Sequence, residues 1–136
     1  MFGIRRAIYD ALTTDTALLA HLANGASSVI NEGELRGDTA LPCVVIHSSG
    51  LRAGRDPTTA MAVWEIRAHD KGHGYYNIDQ ILEHVVDLLD GASLDTTSSA
   101  YRVLEFTWDW ETPAQYDILF RQQYKGVRFR VYLVTL

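Results

Sequence analysis

Two stretches in the last quarter of the chain alternate apolar and polar residues with a period of two. No other feature of the sequence constrains the fold as tightly. Leu104, Phe106, Trp108 and Trp110 alternate with Glu105, Thr107, Asp109 and Glu111. Val127, Phe129, Val131 and Leu133 alternate with Arg128, Arg130, Tyr132 and Val134. Successive side chains of a strand point to opposite faces, so the pattern predicts two long, half-buried strands with one heavy apolar face. On that face Trp108 and Trp110 read as core or subunit-interface residues. Glu105, Asp109 and Glu111 would share the outward face. Acids stacked along one strand repel unless a partner offsets them, and Arg128 and Arg130 on the next strand, or a neighbouring subunit, are candidate partners.

The rest of the chain supplies helices and further strands. Ile4, Ala7, Ile8, Ala11 and Leu12 recur at helical spacing. Thr14-Asp15-Thr16 then breaks the pattern, and Asp15 or Thr14 is suited to cap a second short helix carrying Ala17, Leu18, Leu19 and Leu22, which ends near Asn24-Gly25. Val29-Ile30 reads as a very short strand and 31–40 as a loop. Leu41 to His47 reads as a strand, with Pro42 tolerable only at its start. Residues 48–59 hold Gly50, Gly54, Pro57, Arg52, Arg55 and Asp56, which predicts a long polar loop. Ala60 to His69 is a strand with Ala62, Trp64, Ile66 and Ala68 on one face and Met61, Val63, Glu65 and Arg67 on the other. After an Asp-Lys-Gly-His-Gly turn, Tyr75 to Leu89 is the strongest helix, with Ile78, Ile81, Leu82, Val85, Leu88 and Leu89 as its apolar stripe and Asp90-Gly91 closing it. A Ser/Thr-rich loop, 95–100, precedes the final strand pair. Residues 112–124 between those two strands are long for a hairpin and polar, apart from Ile118, Leu119 and Phe120. The expected fold class is α+β: one domain over residues 1–136, a single mixed, mostly antiparallel sheet of about four strands, and helices packed on one face.

With 136 residues, 47% of them hydrophobic, the chain is long enough to bury a core without disulfides or metal. The net charge of −5 argues against a nucleic-acid binder, which needs a basic surface to neutralise phosphates. Arg121, Lys125, Arg128 and Arg130 approach a basic stripe, but a solvated strand face with loop charges is the plainer reading. Cys43 is the one cysteine and sits within Cys43-Val44-Val45-Ile46, so a buried, inert thiol in a reducing compartment is expected. Arg5, Arg6 and Asp10 interrupt the would-be apolar core of a signal peptide, and no apolar run approaches the roughly 20 residues of a membrane span. Folding in a cytoplasm, away from membranes, is the expectation.

Candidate chemistry is sparse. His69, Asp70 and His73 lie close in sequence and are competent metal ligands, with His47, His84 or Asp79 as conceivable additions. Their spacing matches no closed structural site, and a polar turn holding two histidines explains them as well. Ser48-Ser49-Gly50 lacks the Gly-x-Ser-x-Gly elbow of a nucleophile loop. Gly72-His73-Gly74 lacks both the dinucleotide glycine spacing and the Lys-Ser/Thr pair of a P-loop. No catalytic set, cofactor or metal is expected.

The order of segments resembles the tail terminator (tail completion, or tail-to-head joining) proteins of long-tailed bacteriophages over about residues 2 to 134. The resemblance rests on Asp15-Thr16-Ala17-Leu18-Leu19 after the first helix, and on Leu41-Pro42-Cys43-Val44-Val45-Ile46 opening an apolar strand. It continues through Val63-Trp64-Glu65-Ile66, the helix end Leu88-Leu89-Asp90-Gly91, and the closing strand pair with its acidic aromatic first member. The apolar content within 112–123 departs from that pattern.

The resemblance implies a structural virion protein rather than an enzyme: a hexameric ring that caps the tail tube, ends its polymerisation and meets the head connector or stopper protein. It implies a place at the head-proximal end of the tail, after assembly in the host cytoplasm, with DNA passing through the ring without specific binding. A ring subunit needs two different side surfaces, because a head-to-tail contact is heterologous. On this reading the partner-contact residues are Arg52, Arg55 and Asp56 in one loop and Gln115, Asp117, Arg121 and Gln122 in the other. Glu105, Asp109, Glu111, Arg128 and Arg130 are candidate lumen or inter-subunit charges. Competing readings are another neck ring protein such as a head-completion stopper, the tube protein itself, a small metal-dependent enzyme on the His69/Asp70/His73 turn, and a cellular α+β binding module.

Overall fold

The computed structural model describes residues 2–53, 59–72, 74–94 and 101–135. Helix α1 (Phe2–Thr13) is followed by the single turn α2 (Thr16–Leu19), where the Asp15 carboxylate accepts the Leu18 N–H at 2.9 Å. A 3-10 turn (Gly25–Ser28) leads into β1 (Val29–Asn31), and a second (Glu32–Glu34) opens the loop to β2 (Cys43–Ala53). Then come β3 (Thr59–Asp70), α3 (Tyr76–Leu89), β4 (Tyr101–Glu111), β5 (Gln115–Asp117) and β6 (Gln122–Thr135).

The α+β class, the mixed sheet and the helices on one face are as expected, but the sheet has six strands rather than about four. They run β1-β2-β3-β6-β4, with β5 paired to β6 beyond the end of β4; β1 is parallel to β2 and every other pairing is antiparallel. The added order comes from two segments expected to be loops. Residues 48–53 continue β2, with Gly50 opposite Val63 and Ala53 opposite Ala60, after an irregularity between Ser48 and Gly50. That bulge lets a polar, glycine-bearing stretch keep its backbone groups paired. Within 112–124, β5 forms because Gln115, Tyr116 and Asp117 find Tyr124, Gln123 and Gln122 across the hairpin.

One face of the sheet meets the helices. Ile4, Ile8 and Leu12 of α1, and Ile78, Ile81, Val85 and Leu89 of α3, are fully buried against Val44, Ile46, Trp64, Ile66, Phe106, Phe129 and Val131. The Phe106 and Phe129 rings meet edge-on, centroids 6.4 Å apart, an arrangement their quadrupoles favour. Arg5 closes the margin of this core: its guanidinium lies 5.2 Å from the Trp64 ring and donates to Asn31 Oδ1 and the Ile46 carbonyl.

Two bulges in β4 overturn the simple alternation expected of it. The register slips between Val103 and Glu105 and again between Trp108 and Trp110. Each slip exchanges the two faces for the residues that follow. Val103, Phe106, Trp108 and Glu111 therefore point to the helix side, while Glu105, Thr107 and Trp110 point to the open side, opposite Tyr132, Arg130 and Arg128. Trp108 and Trp110 are not core residues; they are 46% and 54% exposed, on opposite faces. Glu105, Asp109 and Glu111 do not form one acidic row.

Each outer strand has some of its outward backbone groups engaged by the chain itself. Along β4, the Phe106 N–H donates to the Ala92 carbonyl, the Phe106 carbonyl accepts from the Gly91 N–H, and the Trp108 N–H donates to Asp90 Oδ1. Along β1, Glu34 turns back to accept the Asn31 N–H in a capping box. Unpaired edges invite pairing with other chains, and these contacts blunt both.

Candidate interaction surfaces

On the open face, the row His47, Glu65, Arg128 and Trp110 crosses β2, β3, β6 and β4. Glu65 is only 1% exposed although it projects from the face without helices. Arg128 Nε donates to one of its carboxylate oxygens at 2.9 Å and Arg67 Nε to the other. Burial works to raise the Glu65 carboxyl, but hydrogen bonds from Arg128 and Arg67, together with their charges, outweigh it and hold the group below the ordinary glutamate value. Gly126 makes this packing possible: a Cβ there would lie 3.0 Å from Glu65 Cγ and 3.1 Å from Arg67 Cγ. Next along β6, Arg130 pairs with Asp109 at 2.8 Å. Met61, Val63, Asp109, Trp110, Arg128 and Arg130 border an open groove of about 480 Å³.

The supposed basic stripe is divided between faces. Arg128 and Arg130 lie on the open side, whereas Lys125 lies on the helix side, 2.7 Å from Asp79 and 3.6 Å from Glu111. The hydrogen bond to Asp79 raises the Lys125 pKa, against the opposing effect of burial. Lys125, Arg128 and Arg130 each meet a carboxylate, on two different faces of the sheet, and no described carboxylate pairs with Arg121.

The end of the sheet where β2 and β3 close and the end that carries the β5–β6 hairpin are opposite. Ala53 and Thr59 mark the β2–β3 end, beside Val134 of β6. The β5–β6 hairpin stands at the other end, where β3 closes with Asp70 opposite Gln123. Arg55 and Asp56 lie outside the described residues, as does the side chain of Arg52. Of the second group, Gln115 and Arg121 are exposed, but Gln115 also holds Tyr124 through its Oε1 at 2.6 Å. Asp117 accepts the Phe120 N–H at 3.0 Å and braces the turn. Gln122 is 1% exposed, so it is a structural residue and not a contact.

Sequence reasoning missed what that end offers a partner. Ile118 and Leu119 are each 83% exposed, with Tyr116 and Tyr76 also in the open. The visible signal was an apolar doublet in a polar connection. A groove of about 460 Å³ lies between α3 and the end of β4, with Leu82, Val86, Trp108 and Val127 as its apolar lining and Asp79, Glu83, Glu111 and Lys125 around it.

The described histidines make contacts with other side chains. His69 Nδ1 lies 3.0 Å from Gln122 Oε1, and its ring stacks on Tyr124 with centroids 4.9 Å apart. Burial lowers its pKa to about 4. Asp70 caps the Lys71 N–H, and His73 lies outside the described residues. His47 pairs with Glu32, Asp79 with Lys125, and His84 packs against His21. Among the described residues no group of three or more His, Cys, Asp or Glu side chains is placed to hold a metal ion. Cys43 is buried, and burial pushes its thiol up to about 12, beyond reactivity at neutral pH. Ser48 and Gly50 belong to the bulged strand, and Gly72 and Gly74 take positive φ angles of 119° and 99°, a backbone role. No described helix is long and apolar enough to cross a membrane.

No family model matches the chain, and no curated protein sequence matches it. Among solved structures, a chain in the virion of the native gene transfer agent (GTA) particle superposes with a TM-score of 0.78 at 21% identity, covering 96% of this chain and 94% of that one. At that identity the likeness shows one thing: the two chains share a fold along nearly their whole lengths.

Proposed function

We propose that this chain is a structural virion protein of the tail terminator type: a subunit of a ring, six-fold on the resemblance above, that caps the tail tube, ends its polymerisation and joins it to the head connector. The observation that carries the reading is the full-length fold shared with a chain of a virion particle. One feature of the surface supports it. The chain's own groups engage the β4 edge at Phe106 and Trp108 and the β1 edge at Asn31, which favours lateral contacts made by side chains over extension of the sheet.

The test is negative-stain microscopy of the purified protein, alone and mixed with polymerising tube protein from the same source. Six-fold rings, or a cap at one end of tubes of fixed length, support the reading. A protein that binds only the head connector and leaves tube growth unchanged is a stopper-type neck protein. One that forms no rings and binds neither partner is not a terminator.

A further inference from the structure

The hairpin tip and the helix-side groove are the two most conspicuous unpartnered apolar features among the described residues, and they complement each other. The tip carries Ile118 and Leu119 almost wholly in solvent. Phe120 turns inward, its ring 3.5 Å from where a Cβ on Gly37 would sit, so the tip is anchored and not free-hanging. Arg121 follows with φ 54°, a positive value unique among the described non-glycine residues. Such a conformation costs a residue with a side chain about 1 kcal/mol or more, and it persists where the surroundings or a function demand it.

The groove offers Leu82, Val86, Trp108 and Val127 below a charged rim. Three carboxylates, Asp79, Glu83 and Glu111, surround a single ammonium, Lys125, which already serves Asp79 and Glu111. The rim therefore carries excess negative charge, with Glu83 outside the Lys125 ion pairs. No described carboxylate pairs with Arg121 beside the apolar doublet.

We propose that Ile118 and Leu119 of one copy seat in the α3–β4 groove of the next, with Arg121 meeting the Glu83 side of its rim. The contact joins two different surfaces of the same chain, which is the heterologous geometry that closes rings. It rests on the ring reading above and names the lateral contact that reading leaves open.

The test places cysteines at both positions in the full-length chain, Leu119→Cys with Val86→Cys, and treats the protein with a short thiol-specific bismaleimide. Cys43 is buried and does not compete. The treatment is carried out on concentrated protein and on protein bound to tube ends. A covalent ladder of oligomers from the double variant, absent from each single variant, is expected in at least one setting. Separately, Arg121→Glu is expected to weaken oligomer formation at least tenfold, with Arg121→Glu/Glu83→Arg restoring it. Monomers alone in both settings, a cross-link confined to single chains, or dimers from Leu119→Cys alone overturn the proposal. If the wild type caps tubes while the double variant gives no ladder, the contact fails and the terminator reading stands. If the ladder forms but no tube is capped, the contact stands and the terminator reading fails.

Discussion

Burial of His69 is expected to make the folded protein sensitive to mild acid. Its side chain is 3% exposed, against Gln122 and the Tyr124 ring, and burial lowers its pKa from 6.5 to about 4; the nearby Arg67 charge adds to this, while Gln122 and Asp117 oppose it. The unfolded chain thus binds a proton that the folded chain refuses between those two values. Stability from this group is complete above about pH 6.5 and drains away as pH falls toward 4. Proton linkage puts the loss near 2 kcal/mol at pH 5 and about 3 kcal/mol once both states are protonated. The perturbation is His69→Gln, which removes the titration and keeps a hydrogen-bonding group facing Gln122. Urea unfolding of both proteins at pH 7 and pH 5 gives the measurement. The wild type is expected to lose about 2 kcal/mol more than the variant over that interval, a midpoint shift on the order of 1 M urea for a domain this size. Equal losses in the two proteins, or an NMR titration of His69 near 6.5, would refute the reasoning.

Three further expectations follow from the same geometry. Gly126→Ala drives a methyl into Glu65 and Arg67 at 3.0–3.1 Å and is expected to cost about 1–3 kcal/mol in chemical denaturation, whereas Gly33→Ala, with open space around it, stays within about 0.5 kcal/mol. Glu65→Gln tests the arginine pairing: the wild-type carboxylate contributes stability above the ordinary glutamate value that is lost as pH falls through its lowered folded value, so below about pH 4.5 the variant's stability should fall less steeply than the wild type's. Asp90→Ala frees the Trp108 N–H at the β4 edge; about 1 kcal/mol of lost stability and faster hydrogen exchange at Trp108 are expected, and unchanged exchange there would show that the edge is not held by Asp90.

Much of the fold was readable from local pattern. Period 3.6 in α1 and α3 and period 2 in β3 each place one apolar face, and the burial of Ile4, Ile8, Ile78, Ile81, Trp64 and Ile66 follows that pattern. Asp15 capping α2 and Gly91 closing α3 at φ 77° likewise depend on chemistry within a few residues. The candidate surfaces were only partly legible. The polar connection 112–124 suggests an exposed segment, yet Gln122 within it is buried against His69 of another strand, which no local pattern shows.

What the sequence alone determined, then, is the succession of amphipathic elements and the class of fold, because those depend on side-chain periodicity along the chain. Three things were decided only in three dimensions. The bulges in β4 depend on how it matches β6, and each reverses the faces of the residues that follow, sending Trp108 and Trp110 to opposite sides. The burial of Glu65 depends on arginines from two strands and on the missing side chain of Gly126, 61 residues away in number (126 − 65). The engagement of the β4 edge at Phe106 and Trp108 depends on Asp90, Gly91 and Ala92 returning along that strand. Periodicity reports which way a side chain points from its own backbone; it carries no information about which distant strand will lie beside it or where the two fall out of step.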